Sequence, residues 1–126
     1  MSATSENGRL SRAAGASLTA QQYTFMKLDS AGAFVRCTAA TDLIAGILEN
    51  APASGDTAVV ILRNAADTAK LSLGTGGATI GAKLTSDSTG KGVITTTGAD
   101  QVGAIALEAG DASDIIEVMP VYSIVR

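Results

Sequence analysis

No histidine and no tryptophan occur in the 126 residues, and cysteine occurs once, as Cys37. Without imidazole there is no Ser-His-Asp machinery, no His-ligated zinc and no His proton shuttle. A single cysteine excludes an intramolecular disulfide, a CxxC redox pair and an all-cysteine zinc site, and it suits a reducing compartment. Two Phe and two Tyr are the whole aromatic complement, and the nine Lys and Arg form no cluster. A nucleic-acid surface needs basic stripes and stacking platforms, so no nucleic-acid partner is expected. No apolar run approaches a membrane span, and the polar N-terminus does not read as a signal peptide. These absences describe a mildly acidic, cytosolically made, non-catalytic protein with no cofactor, no metal site and no membrane partner.

What is present is small and turn-prone. Ala, Gly, Thr and Ser supply 23, 14, 14 and 11 residues, about half the chain, whereas Leu, Ile, Val and Phe together make about 23%. That is just above the level typical of disordered chains. With a net charge of only −3 the chain is expected to fold, around a thin core that an oligomer would supplement. Gly and Thr oppose long helices, and β-branched residues favour strands. Short apolar stretches such as 23–28, 34–38, 43–49, 58–63, 102–107 and 121–125 alternate with Gly, Asp, Ser and Asn. This spacing predicts an all-β fold, a small β-barrel or sandwich. Pro120 predicts a break or an edge position in the last stretch.

An internal repeat organises these strands. At an offset of 58, Asp29-Ser30-x-Gly32 meets Asp87-Ser88-x-Gly90, and Val35, Thr38, Asp42, Ile47, Ala51, Asp56 and Val60 meet identical residues, ten identities in positions 29–60. Upstream, Gly15-Ala16-Ser17-Leu18 resembles Gly77-Ala78-Thr79-Ile80 at an offset of 62. The reading is therefore a single β domain over residues 15–126, with half-repeats at about 15–63 and 77–121. Neither half could cover its own apolar face, so two halves closing into one barrel is the simplest picture.

Residues 1–14 stand outside the repeat and read as an extended N-terminal arm. A terminus of this composition is mobile unless held. A second protein and the chain's own domain are equal candidates for holding it. Arg9, Leu10 and Arg12 are its candidate contact residues. The two guanidinium groups suit carboxylates, and the segment suits addition to a strand edge.

Other motifs give way to plainer readings. Ser88-Thr89-Gly90-Lys91 lacks the upstream Gly and downstream Ser or Thr of a phosphate loop, and its glycines oppose the helix that Ser-Lys catalysis needs. It matches Ser30-Ala31-Gly32 in the repeat and reads as a hairpin turn. Gly74-Thr75-Gly76-Gly77 reads as a connector between the halves. Asp111, Asp114, Glu108 and Glu117 lack calcium-loop spacing and read as solvated turn formers. Cys37 reads as a small core residue. The C-terminal run Val121, Tyr122, Ile124, Val125 is a core strand or part of a subunit seam.

Taken in order, Met26-Lys27-Leu28-Asp29-Ser30-x-Gly32, Thr38-Ala39-Ala40-Thr41-Asp42 and Ala45-Gly46-Ile47-Leu48 resemble the small bacteriophage capsid cement, or head decoration, proteins. The second half adds Gly76-Gly77-Ala78-Thr79-Ile80, Leu84-Thr85-Ser86-Asp87, Ala106-Leu107-Glu108-Ala109 and Asp114-Ile115-Ile116-Glu117-Val118. The resemblance covers about residues 13–119. It departs from the family pattern at Thr19-Ala20-Gln21-Gln22, where a Gly-Asp turn is usual. It implies a compact β subunit that sits as a homotrimer on the outer surface of a phage head. There it would contact the major capsid protein and stabilise the expanded shell without catalysis. A tail or fibre component is the alternative, and a small-ligand-binding β-domain comes after it.

Overall fold

In the computed structural model, which describes residues 8–65 and 67–125, the short β-branched stretches become ten strands. They are β1 (Arg9–Ala13), β2 (Phe25–Leu28), β3 (Phe34–Arg36), β4 (Gly46–Leu48), β5 (Thr57–Leu62), β6 (Ala69–Ser72), β7 (Lys83–Ser86), β8 (Gly92–Ile94), β9 (Gln101–Ala106) and β10 (Ile115–Ile124). No helix occurs among the described residues. The strands form two five-stranded antiparallel sheets, ordered β1-β5-β4-β2-β3 and β6-β10-β9-β7-β8. Adding five to every strand number of the first sheet gives the second, so each half of the repeat builds one sheet. The fold is thus a sandwich of two similar halves and not one closed barrel. Each half brings five strands of its own and needs no strand from the other to complete its sheet.

The 58-residue offset carries β2 onto β7 and β3 onto β8 residue for residue. Upstream, the pairing of Gly15 with Gly77 gives way to Gly15 with Gly74, an offset of 59. Gly15 N–H donates to Phe34 O and Gly74 N–H to Gly92 O, both at 2.8 Å. A Cβ at Gly15 would crowd Asp29 and Val35, and one at Gly74 would crowd Asp87 and Val93. The requirement for glycine is therefore a close approach of backbone to the next hairpin, and only this alignment satisfies it. The second sheet consequently starts at β6, and Gly74–Gly77 is a turn inside it, closed by Gly77 N–H to Gly74 O. The link between the sheets is the segment 63–68.

Residues 9–13 of the expected arm are β1, an edge strand in continuous antiparallel register with β5, from Arg9 opposite Ile61 to Ala13 opposite Thr57. Residues 1–7 of that arm lie outside the described residues. Pro120 sits in β10 next to a register shift between residues 120 and 123. The ladder to β6 ends at Val118, so the missing N–H costs nothing on that side.

Alternation along the strands divides the apolar residues between two clusters. Phe25, Ile44, Ile47 and Ile61 of the first sheet join Leu71, Leu73, Leu84, Ile116 and Val118 of the second. Their sequence neighbours Met26, Leu48 and Val60 turn the other way and pack with Leu18 and Phe34. The first sheet is therefore buried on both faces, which is how so few large side chains make a core.

Candidate functional site

The three candidate contact residues share β1 but not a face. Arg9 lies opposite Ile61, whereas Leu10 lies opposite Val60 and Arg12 opposite Ala58. The Arg9 guanidinium bridges Glu49 and Asp67 of its own chain, and the hydrogen bond to Glu49, followed by its charge, holds its pKa above the ordinary value. Leu10 is half-buried against the cluster around Phe34, and Arg12 is half-buried. The strand-edge preference read from this segment is realised within the chain, on β5.

The motifs set aside as turns are turns. Asp29 Oδ1 accepts the N–H groups of Ala31 and Ala33 at 2.9 and 3.0 Å, and Asp87 Oδ1 accepts those of Thr89 and Lys91 at 2.8 and 3.0 Å. Gly32 and Gly90 follow with φ of +82° and +83°, so Ser88 and Lys91 flank a hairpin bend with no phosphate cradle. Asp114 Oδ2 accepts Asp111 N–H, and Glu108 Oε1 accepts Glu117 N–H. These carboxylates serve their own backbone. Among the described residues no three acidic or cysteine side chains converge on a common point. Cys37 is fully buried. Burial first, and the nearby Asp42 charge second, push its thiol up to about 12, far from the thiolate that a nucleophile needs.

One open groove, of about 480 Å³, combines apolar walls with unused hydrogen-bonding capacity. Leu28, Leu43, Ala45, Leu62 and Tyr122 line it together with Lys27 and Arg63. Leu43 is 64% exposed, Tyr122 57% and Leu28 45%, so three large apolar side chains are open to solvent in this one groove. Lys27 Nζ is 3.0 Å from Asp42 Oδ2, which also accepts the N–H groups of Thr38 and Ala39. Burial pushes the Asp42 carboxyl upward, but the Thr38 N–H and the Lys27 ammonium outweigh it and hold its pKa below the usual carboxylate range.

Arg63 is the odd member of this groove. It is 9% exposed and has no acidic partner among the described residues. Nη1 donates across the sandwich to Val102 O at 3.0 Å, while Nε and Nη2 have no partner among the described residues. The Tyr122 ring lies 4.1 Å over the guanidinium. Burial lowers the pKa of Arg63, opposed by Tyr122 and Cys37. In the sequence Arg63 reads as the last residue of the apolar run 58–63. The available signal was its repeat counterpart, Val121: one half places a cation where the other places a hydrocarbon.

No protein-family model and no curated protein matches the chain. Among solved structures, the N base of the head fibre gp8.5 of bacteriophage phi29 superposes with a TM-score of 0.68, covering 94% of this chain and 97% of that one at 14% identity. At that identity the likeness is one of fold, and it extends over both sheets of this chain.

Proposed function

We propose that this chain is a structural protein of a tailed-phage head: a decoration, or cement, protein. It binds the outer surface of the major capsid shell as a homotrimer and stabilises the expanded head. The observation that carries this reading is the likeness, over nearly the whole of both chains, to a protein described as the base of a phage head fibre. The order and spacing of the sequence motifs support it. The chain works by attachment and not by catalysis. Asp29, Asp87, Glu108 and Asp114 serve their own backbone, the Cys37 thiol is buried, and the open groove has mainly apolar walls. Shell contact is assigned to β1 through Arg9, Leu10 and Arg12, and many copies with modest contacts give firm attachment by multivalency.

The test is binding of the purified chain to expanded shells that lack it, imaged at saturation. Saturable density at local three-fold positions is expected, weakened by Arg9→Ala combined with Arg12→Ala. Absence of binding to expanded shells overturns the decoration reading. A second reading follows from the same likeness: the chain is the base of a head fibre and carries a further protein outward. That reading predicts sparse density on the head, with an additional chain attached at each position.

A further inference from the structure

The two halves of the sandwich meet through different surfaces, and each is left with one surface uncovered. The first half covers the second with Phe25, Ala40 and Arg63. Ala40 O accepts Gln101 N–H at 2.8 Å and Thr85 Oγ1–H at 3.1 Å, and Arg63 reaches Val102 O. A Cβ at Gly103 would fall 2.5 Å from Phe25 Cε1, so the ring lies directly on that backbone. If the halves were related by a two-fold axis, Lys83 and Gly98, the counterparts of Phe25 and Ala40, would do the same work in return. Both are exposed.

The covered surface has its own counterpart. Thr85 is 2% exposed beneath the Ala40 carbonyl of the first half, whereas its counterpart Lys27 is only half-buried. Leu43 corresponds to Gln101 and is 64% exposed. Lys27, Leu43 and Ala45 thus correspond, on the first half, to the Thr85, Gln101 and Gly103 surface that the second half hides, and with Leu28 they line the groove described above. Met119, the counterpart of buried Ile61, is 43% exposed beside its cross-strand neighbours Ile105 and Lys83. That is the covering surface with nothing to cover.

We propose that a second copy of this chain fills the groove. The outer face of its second sheet, around Lys83, Ile105 and Met119, lies over Leu28, Leu43 and Ala45 of its neighbour, so that the contact between halves repeats between chains. Such a contact is heterologous and closes into a ring when the rotation per step allows. For the number of copies at closure the inference rests on the trimer reading above. The Lys27 ammonium is already neutralised by Asp42, and the groove's other cation, Arg63, is buried with the Tyr122 ring over it, so an incoming Lys83 stem lies along the leucines with its ammonium toward solvent. Because Lys83 replaces Phe25, the contact between chains is weaker than the one within the chain and is reversible by dilution.

The experiment is light scattering or sedimentation of the full chain over a dilution series, with Leu43→Asp and Met119→Asp as variants. Both positions are exposed, so the unfolding midpoints should stay near that of the parent. The unsubstituted chain should associate, and each variant alone should run as a monomer. At the concentration where the parent associates, an equimolar mixture of the variants should give a 1:1 dimer and nothing larger. Each variant keeps the surface that the other has lost. A parent that stays monomeric, association that survives either substitution, or variants that do not complement overturns the proposal. Shell binding is read separately, so a failed seam with intact decoration leaves the capsid reading standing.

Discussion

Asp29 and Asp87 hold the same turn 58 residues apart, each with one carboxylate oxygen accepting two backbone N–H groups. The turns differ in their surroundings. Gly90 O accepts Phe25 N–H at 2.7 Å, and a Cβ at Gly90 would lie 3.2 Å from Thr24 Cβ, whereas nothing lies within 4 Å of one at Gly32. Gly32→Ala and Gly90→Ala therefore share the left-handed backbone cost, roughly 1–2 kcal/mol, and Gly90→Ala adds a clash at the contact between halves. Denaturant unfolding should place Gly90→Ala at least ~1 kcal/mol below Gly32→Ala. Equal losses would mean that the 87–91 turn is not docked on the first sheet.

The turns and hairpins were legible because their chemistry is local: an aspartate that bonds two residues onward and a glycine at positive φ leave a signature at any offset. The β1 segment was legible as suited to a strand edge, but its partner β5 was not. Arg-Leu-Ser-Arg-Ala has one large apolar residue, and its strand geometry comes from the ladder with β5, a tertiary partner more than 40 residues away. Gly15 was misaligned because Gly-Ala-Ser stretches match at several offsets, and only the crowding of Asp29 and Val35 against its missing Cβ separates them. Of the groove, Leu28 and Leu43 were visible as apolar residues. Their exposure depends on which half covers the other, and the decisive difference, Phe25 against Lys83, reads in sequence as an ordinary mismatch.

Cys37 should make stability fall at high pH. Its folded pKa, about 12, lies above the ordinary 9.0, so between those values the folded chain keeps a proton that the unfolded chain loses. The stability it contributes is complete below pH 9 and is lost as pH rises through 12, at up to about 1.4 kcal/mol per pH unit. Other groups titrate in this range, so the informative quantity is the difference between parent and Cys37→Ala. The gap between their unfolding free energies should narrow from pH 8 to 11. A constant gap would show that the thiol is not shielded. A thiol reagent at pH 8 should label Cys37 only after unfolding.

Arg63 carries a charge that the fold buries with no acidic partner among the described residues, and its removal should reveal what that costs. Arg63→Met forfeits the hydrogen bond to Val102 O, which leaves that acceptor unpaired at about 1–3 kcal/mol. Against this stand two unpartnered N–H groups and the desolvation of an unpaired cation, each of similar or larger size. The balance favours methionine, so Arg63→Met should be neutral or stabilising by up to about 2 kcal/mol. Arg63→Ala should destabilise, because it also empties the space under Tyr122. The stack on Tyr122 is half open to solvent, so a double-mutant cycle with Tyr122→Leu should return only about 0.5–1 kcal/mol of coupling. A loss of more than ~2 kcal/mol for Arg63→Met would mean that its hydrogen bond to Val102 ties the two sheets together more strongly than its burial opposes them.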